Sequence, residues 1–177
     1  MLERAWQTPD AAPGYKEALA KAIAGVGARS GIELLYSEAA RGGQTVSEFS
    51  AQENNLTWHV LDVFQTIRNP DAVPVLATRL GDQPLDNLDL VLSGASLASM
   101  GRPEATSVLL HWAESSPRDV GQVLEPWLSE VRDPDSLGLL EKTIASPPAF
   151  KNPENGRAVD RAVQQWRASR AASSSEN

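Results

Sequence analysis

The feature that most constrains the fold is a proline-containing turn that recurs three times at nearly constant spacing. Pro70, Pro103 and Pro134 stand 33 and then 31 residues apart, and an acidic residue directly follows each of them. Proline lacks a backbone N–H and has a fixed φ, so it suits the first position of a helix. The acidic residue then places negative charge where the helix dipole favours it. Each turn therefore predicts the start of a helix, with Asn69 and Asp133 as N-caps.

Segments with apolar residues at helical spacing flank each of these turns. Before the turns, the apolar positions are Leu56, Val60, Val63, Phe64 and Ile67; Leu85, Leu88, Leu92 and Ala95; and Val120, Val123, Leu124, Trp127, Leu128 and Val131. After the turns, they are Ala72, Val75, Leu76 and Leu80; Ala105, Val108, Leu109 and Trp112; and Ser136, Leu139, Leu140 and Ile144. The repeated element is predicted to be a pair of helices joined by a turn.

The N-terminal region is predicted to be a divergent first helix pair with a turn at 27–30. Its two apolar stripes are Tyr15, Leu19, Ala22, Ile23 and Val26, then Ile32, Leu34, Leu35 and Ala39. The distance from this turn to Pro70 exceeds one period, and the stretch 41–50 lacks a helical pattern. A loop insertion at about 41–54 is therefore expected to absorb the excess. The part from Gly42 to Ser50 is a candidate partner contact, because such a loop projects from one edge.

The period divides the chain into three parts. Residues 1–13 are predicted to be an N-terminal extension, 14–170 the helical repeat region and 171–177 a disordered tail. Within the repeat region, Ser146-Pro147-Pro148 is expected to end the fourth pair and 152–156 to prolong the loop. A final capping helix is indicated by apolar residues at helical spacing, namely Val159, Ala162, Val163 and Trp166.

The turn pattern and the period resemble HEAT-like repeats of the short bacterial kind related to phycobilisome-lyase-type repeats. The matching segments are Asn69-Pro70-Asp71-Ala72, Arg102-Pro103-Glu104-Ala105 and Asp133-Pro134-Asp135-Ser136. The resemblance covers residues 55–146 well and 14–41 more loosely. It implies an all-α protein, an α-solenoid of about four helix pairs plus a C-terminal capping helix. It also implies a scaffold for protein–protein contacts rather than an enzyme.

Composition narrows the classes of partner. The chain has 23 acidic and 16 basic residues and a net charge of -7, which disfavours nucleic acid and anionic membranes. It has no cysteine, which removes disulfides and thiol chemistry. No apolar run approaches the roughly 18 residues needed to cross a bilayer, so no membrane insertion is expected. The start lacks a secretory signal, which favours the cytoplasm; the periplasm stays open if a leader was removed.

No catalytic, metal or cofactor site is predicted. His59 and His111 each have one acid at i+3, Asp62 and Glu114, and a single His–acid pair is only half of a metal site. Both histidines are therefore expected to be surface or partly buried residues.

Other residue types give no catalytic motif either. No Gly-x-Ser-x-Gly motif occurs, and the small residues at 92–96 are expected to pack in a helix interface. The glycines between 25 and 31 are expected to end one helix and start the next. Acid pairs such as Asp86 with Asp89 are expected at helix starts and solvated faces, with nothing nearby to raise a carboxyl pKa.

Candidate partner contacts follow from the repeat. Aligned on the turn prolines, Thr78, His111 and Lys142 fall at equivalent positions outside the apolar stripes, and Ser107 and Glu114 flank His111. The second helices of such pairs line the concave face with which solenoids bind. These residues are therefore predicted to contact a partner.

The five tryptophans divide into two groups. Trp112, Trp127 and Trp166 lie on apolar stripes and are predicted to be core residues. Trp58 lies off the stripe of its helix, and Trp6 precedes the first clear helix. Because exposed tryptophan is a common interface anchor, these two are predicted partner contacts.

The sequence thus predicts a scaffold or adaptor that binds a protein or peptide on its concave helical face. One alternative is a lyase-like or other small-molecule-handling HEAT-like protein, which would need a deep pocket with convergent polar groups between the concave helices. Another is a nucleic-acid-binding HEAT-like protein, which would need a basic groove with aromatic residues.

Overall fold

Each of the three turn prolines begins a helix in the computed structural model of the chain, which describes residues 5–6, 13–50 and 62–175. Pro103 and Pro134 are the first residues of α-helices, and Pro70 starts a 3₁₀ turn that leads into one. The side chain of Asn69 accepts a hydrogen bond from the Asp71 N–H at 2.9 Å. The predicted helix starts are therefore confirmed.

The chain divides between Met100 and Gly101 into two compact units. The first contains α1 (Pro13–Val26), α2 (Arg29–Ala39), α3 (Val46–Ser50), α4 (Val73–Ala77) and α5 (Leu88–Ser99). It also contains 3₁₀ turns at Ala40–Gly42 and Pro70–Ala72 and a helical segment at 62–65. The second contains α6 (Pro103–Ser115), α7 (Gly121–Ser129), α8 (Pro134–Ala145) and α9 (Pro153–Ser175). The regular secondary structure of the described residues is helical, apart from one isolated β-bridge between Thr45 and Asn87. This confirms the all-α class.

In the first unit, two helix-connecting turns touch each other. The side-chain amide of Asn69 donates to the carbonyl of Val26, the last residue of α1. Gly27, at φ +66, lies so close to Asn69 that a Cβ would overlap it. Glycine is needed here for both the positive φ and the close approach.

The buried face of α1 differs from the predicted stripe. Its buried residues are Leu19, Ala20, Ile23 and Ala24. Tyr15 and Val26, which were predicted to be buried, are 50% and 52% exposed. The small alanine side chains take the inner positions because α2 approaches closely, as the contact between Gly31 and Ile23 shows.

The rest of the first unit follows the prediction more closely. Val63, Phe64, Ile67, Val75 and Leu76 are buried as predicted, whereas Leu56 and Val60 lie outside the described residues. α4 is short and ends at Ala77, before the Gly81 and Pro84 of the following loop. The predicted insertion contains α3. The first residue of this helix, Val46, donates its N–H to the carbonyl of Asp86, just before α5, at 2.8 Å.

In the second unit, α9 packs along α7, and α8 lies against α6 and α9. The rings of Trp112 and Trp127 are 5.9 Å apart and buried, so the predicted core roles of these two residues are confirmed. The turn before α6 faces the turn before α8: Gly101, at φ +63, lies against Asp133. Asp133 in turn caps α8 by accepting from the Ser136 N–H at 2.8 Å.

The start of α9 corrects the prediction of a prolonged loop at 152–156. Pro153 is the first residue of this helix, and the Asn152 side chain accepts from the Glu154 N–H at 3.0 Å. Asn-Pro-Glu is the same local pattern as at the earlier turns. Because Pro153 follows Pro134 by less than one repeat period, the repeat did not predict a helix start here. The helix continues to Ser175, into the segment predicted to be a tail.

Asn155 fastens the first turn of α9 to the loop between α6 and α7. This side chain is completely buried. Its amide nitrogen donates to the carbonyls of Ala113 and Arg118, both at 3.0 Å, and its oxygen accepts from the Val120 N–H at 2.9 Å. A polar side chain thus satisfies backbone groups that would otherwise be buried without partners.

We expect Asn155→Ala to destabilise the second unit by about 3 kcal/mol, because several buried backbone groups lose their hydrogen bonds. Asn152→Ala is the matched control and removes one cap, which typically costs about 1 kcal/mol. Urea unfolding followed by tryptophan fluorescence and circular dichroism measures both. Equal losses in the two variants would contradict the role assigned to Asn155.

Candidate functional site

Three of the predicted partner contacts form one exposed row on α6. Ser107, His111 and Glu114 follow each other at spacings of four and three residues, which places them on one face of the helix. Ser107 is exposed, and the side chain of His111 is 81% exposed. His111 Nδ1 lies 4.0 Å from a carboxylate oxygen of Glu114. The opposite face of α6 is buried, with Ala105, Leu109, Trp112 and Ala113 in the core.

The remaining predicted contacts lie on other elements. Lys142 is exposed on α8, the helix that packs against α6. Thr78 belongs to the first unit, where it is the C-cap residue of α4. Its hydroxyl donates to the Val75 carbonyl at 2.7 Å. Trp58 and His59 lie outside the described residues. The structure therefore brings Ser107, His111 and Glu114 together on one helix.

Two tryptophans differ from their predicted environments. Trp6 is only 7% exposed, so the expectation that it is an exposed tryptophan is wrong. Trp166, predicted to be a core residue, is only partly buried and lines a surface cavity. The buried part of the apolar stripe of α9 consists of Val159, Ala162 and Val163, and the Trp166 ring lies at its margin.

The first unit contains a charged cluster that was not predicted from the sequence. The Arg79 guanidinium lies 4.7 Å from the centre of the Tyr36 ring. It donates to Asp89 Oδ2 at 2.8 Å and also to a carboxylate oxygen of Glu33. All three charged side chains are partly buried. The cluster joins α2, the loop after α4 and α5, and no sequence spacing indicates that these residues meet.

A chain of hydroxyl groups lies behind this cluster. Ser93 donates to the carbonyl of Asp89 at 2.6 Å, so the Tyr36 hydroxyl is the donor in its hydrogen bond to Ser93. Burial raises the pKa of Tyr36, which keeps the phenol protonated as that bond requires.

The pKa of Asp89 corrects the expectation that its surroundings would not raise a carboxyl pKa. Burial raises it above the ordinary value of 3.8 and outweighs the opposing effect of Arg79. The pKa of Asp133 is instead lowered by its hydrogen bonds to Ser136. The pKa of Glu48 is lowered by the N–H groups of Gln44 and Thr45. The pKa shift of Asp89 thus comes from burial, and those of Asp133 and Glu48 come from local hydrogen bonds.

Two cavities open on the second unit. One of about 410 Å³ lies where the end of α8 meets the start of α9 and is lined mainly by apolar groups, among them Ile144, Pro147, Phe150 and Val159. The other, of about 350 Å³, lies between α8 and α9 and is lined by Arg132, Pro134, Leu137, Gly138, Glu141 and Trp166. Neither contains the exposed row on α6.

The described residues contain neither a metal-ligand cluster nor a membrane-spanning helix. No three His, Asp or Glu side chains there are grouped as metal ligands. No described helix combines the length and the apolar character that a bilayer crossing requires. Comparison with family models, curated proteins and solved structures found no match to the chain.

The raised pKa of Asp89 predicts how Asp89→Asn changes the pH dependence of stability. The folded state holds the Asp89 proton more tightly than the unfolded state does, so the contribution of Asp89 to the unfolding free energy falls as pH rises from about 3.8 through its folded-state pKa. Asparagine does not ionise. The unfolding free energy of wild type minus that of Asp89→Asn should therefore fall over this range and then level off. Denaturant unfolding at a series of pH values measures it, and a difference that rises with pH would contradict the burial of this carboxylate.

Proposed function

We propose that the protein is a non-catalytic interaction module that binds a protein partner through the exposed faces of α6 and α8. The observation that carries this proposal is the polar row Ser107, His111 and Glu114, in which the first two residues are exposed and Glu114 is partly exposed, on a helix whose other face is buried. Exposed polar and charged residues on rigid helices supply specific contacts without disturbing the core. Lys142 on the neighbouring α8 adds a cation to this surface.

We further propose that the helix pairs belong to a HEAT-like α-solenoid. In support, Gly27 lies against Asn69 in one unit and Gly101 against Asp133 in the other, so the same pair of turn positions meets twice. Arg68 and Arg132, two residues before their turn prolines, also bind the preceding backbone in the same way. Each donates from Nη1 to two carbonyls, those of Gln65 and Ile67 or of Ser129 and Val131. Repeated local contacts of this kind are expected where similar helix pairs stack.

We expect the double substitution His111→Glu, Lys142→Glu to weaken partner binding about tenfold or more, because it makes the proposed surface strongly negative without touching the core. The partner is first captured with a photo-crosslinking residue at position 111 in cells of the natural source. Its affinity for the wild-type and variant proteins is then measured with both components purified.

The matched control is Gln122→Glu, Arg29→Glu, which changes the net charge by the same amount at two exposed positions on helices that are not part of this surface. It should bind like wild type. If both double variants bind the partner equally well, the proposed surface is wrong.

A further inference from the structure

The groove between α8 and α9 is open because α8 carries a glycine in its middle. A Cβ built on Gly138 meets no atom within 4 Å, so neither a close contact nor a positive φ requires glycine there. The equivalent positions after the other turn prolines hold Pro74 and Ser107. Glycine weakens a helix interior relative to other residues. Here it leaves the space beside Trp166 unfilled.

The walls of the groove combine apolar and charged groups. Pro134 and Leu137 come from the first turn of α8, and Trp166 comes from α9. Glu141 also lines the groove and is already paired, since Arg167 Nη2 donates to its Oε1 at 3.0 Å. Arg132 also lines the groove. The surface thus offers an apolar face with one arginine beside it.

Arg132 is held in a position suited to binding a carboxylate. Its Nη1 donates to the carbonyls of Ser129 and Val131, which fixes the guanidinium against the end of α7. Among the described residues it forms no ion pair. Its Nε and Nη2 donors form the edge that binds a carboxylate through two parallel hydrogen bonds. The nearby carboxylate of Asp133 is turned toward Ser136 of its own helix.

We propose that this groove docks a partner peptide in which an acidic side chain pairs with Arg132 and an adjacent aliphatic or proline side chain lies against Trp166. A cavity of about 350 Å³ accepts one or two such side chains rather than a folded domain. Arg132, which forms no ion pair with the described residues, selects the charge of the occupant, and the indole, proline and leucine surfaces select its apolar part. The inference extends the proposed interaction function, on which it rests, to a second surface.

The experiment uses a phage-displayed library of random nine-residue peptides, fused at their carboxyl ends so that side chains supply the only peptide carboxylates. The full chain is the bait. We expect enriched sequences to place Asp or Glu within a few positions of proline or an aliphatic residue. The most enriched sequence, synthesised with both ends blocked, is then titrated by calorimetry against the wild-type protein and four variants.

Gly138→Leu fills the groove and should weaken peptide binding about tenfold or more, while its exposed helical position keeps the fold intact. Arg132→Gln should weaken binding about tenfold, and should cause no further loss when the acidic residue of the peptide is also replaced by its amide. The matched controls are Gly25→Leu, at another helical glycine with open space around it, and Arg68→Gln, at an arginine with the same backbone contacts. Both should bind like wild type.

The inference is wrong if the enriched peptides lack an acidic residue, if no peptide is enriched, or if Gly138→Leu binds as well as Gly25→Leu. These outcomes leave the proposed function standing, because that function is tested by the partner captured at position 111. Loss of the partner in His111→Glu, Lys142→Glu with full binding by Gly138→Leu would separate the two surfaces.

Discussion

A contact between one helix-connecting turn and another recurs in both units and fixes the local geometry at a helix start in each. In the first unit it joins Gly27 to Asn69, and in the second it joins Gly101 to Asp133. Both glycines adopt the positive φ that ends the preceding turn, and Gly27 also lacks the side chain that would hold its turn away from Asn69. The Asn or Asp starts the next helix. One pair of residues therefore ends a segment, starts a helix and sets the spacing between neighbours.

The difference between local chemistry and packing between helices explains which parts of the fold could be predicted from the sequence. Helix starts at Pro103 and Pro134 follow from local chemistry, because proline and its acidic neighbour act within one turn. The orientation of α1 could not be predicted in the same way. Leu19 and Ile23 fit both the predicted and the observed stripes, and the choice between Tyr15 and the alanines depends on how closely α2 approaches. Such a distance is a property of the packed pair rather than of either segment.

Among the candidate surfaces, too, one could be predicted from the sequence and the others could not. The exposed row on α6 follows from the repeat period, since positions outside an apolar stripe face away from the core. The charged cluster joins residues that are 10 and 46 positions apart, and its arginine also lies over an aromatic ring. The groove beside Trp166 requires α8 and α9 to lie side by side at a position where α8 lacks a side chain. Both features come from tertiary packing, which sequence periodicity does not specify.

The burial of Asn155 has a consequence for the chemical ageing of the chain. Asn155 is followed by Gly156, and Asn-Gly is the dipeptide in which an asparagine amide most readily cyclises and hydrolyses. That reaction needs a mobile backbone, whereas here the amide is enclosed and the following residue is helical. The folded molecule therefore protects the bond. Deamidation of the unfolded chain would replace this amide with a carboxylate that cannot donate to the carbonyls of Ala113 and Arg118, so a molecule damaged before folding would be less stable than an intact one.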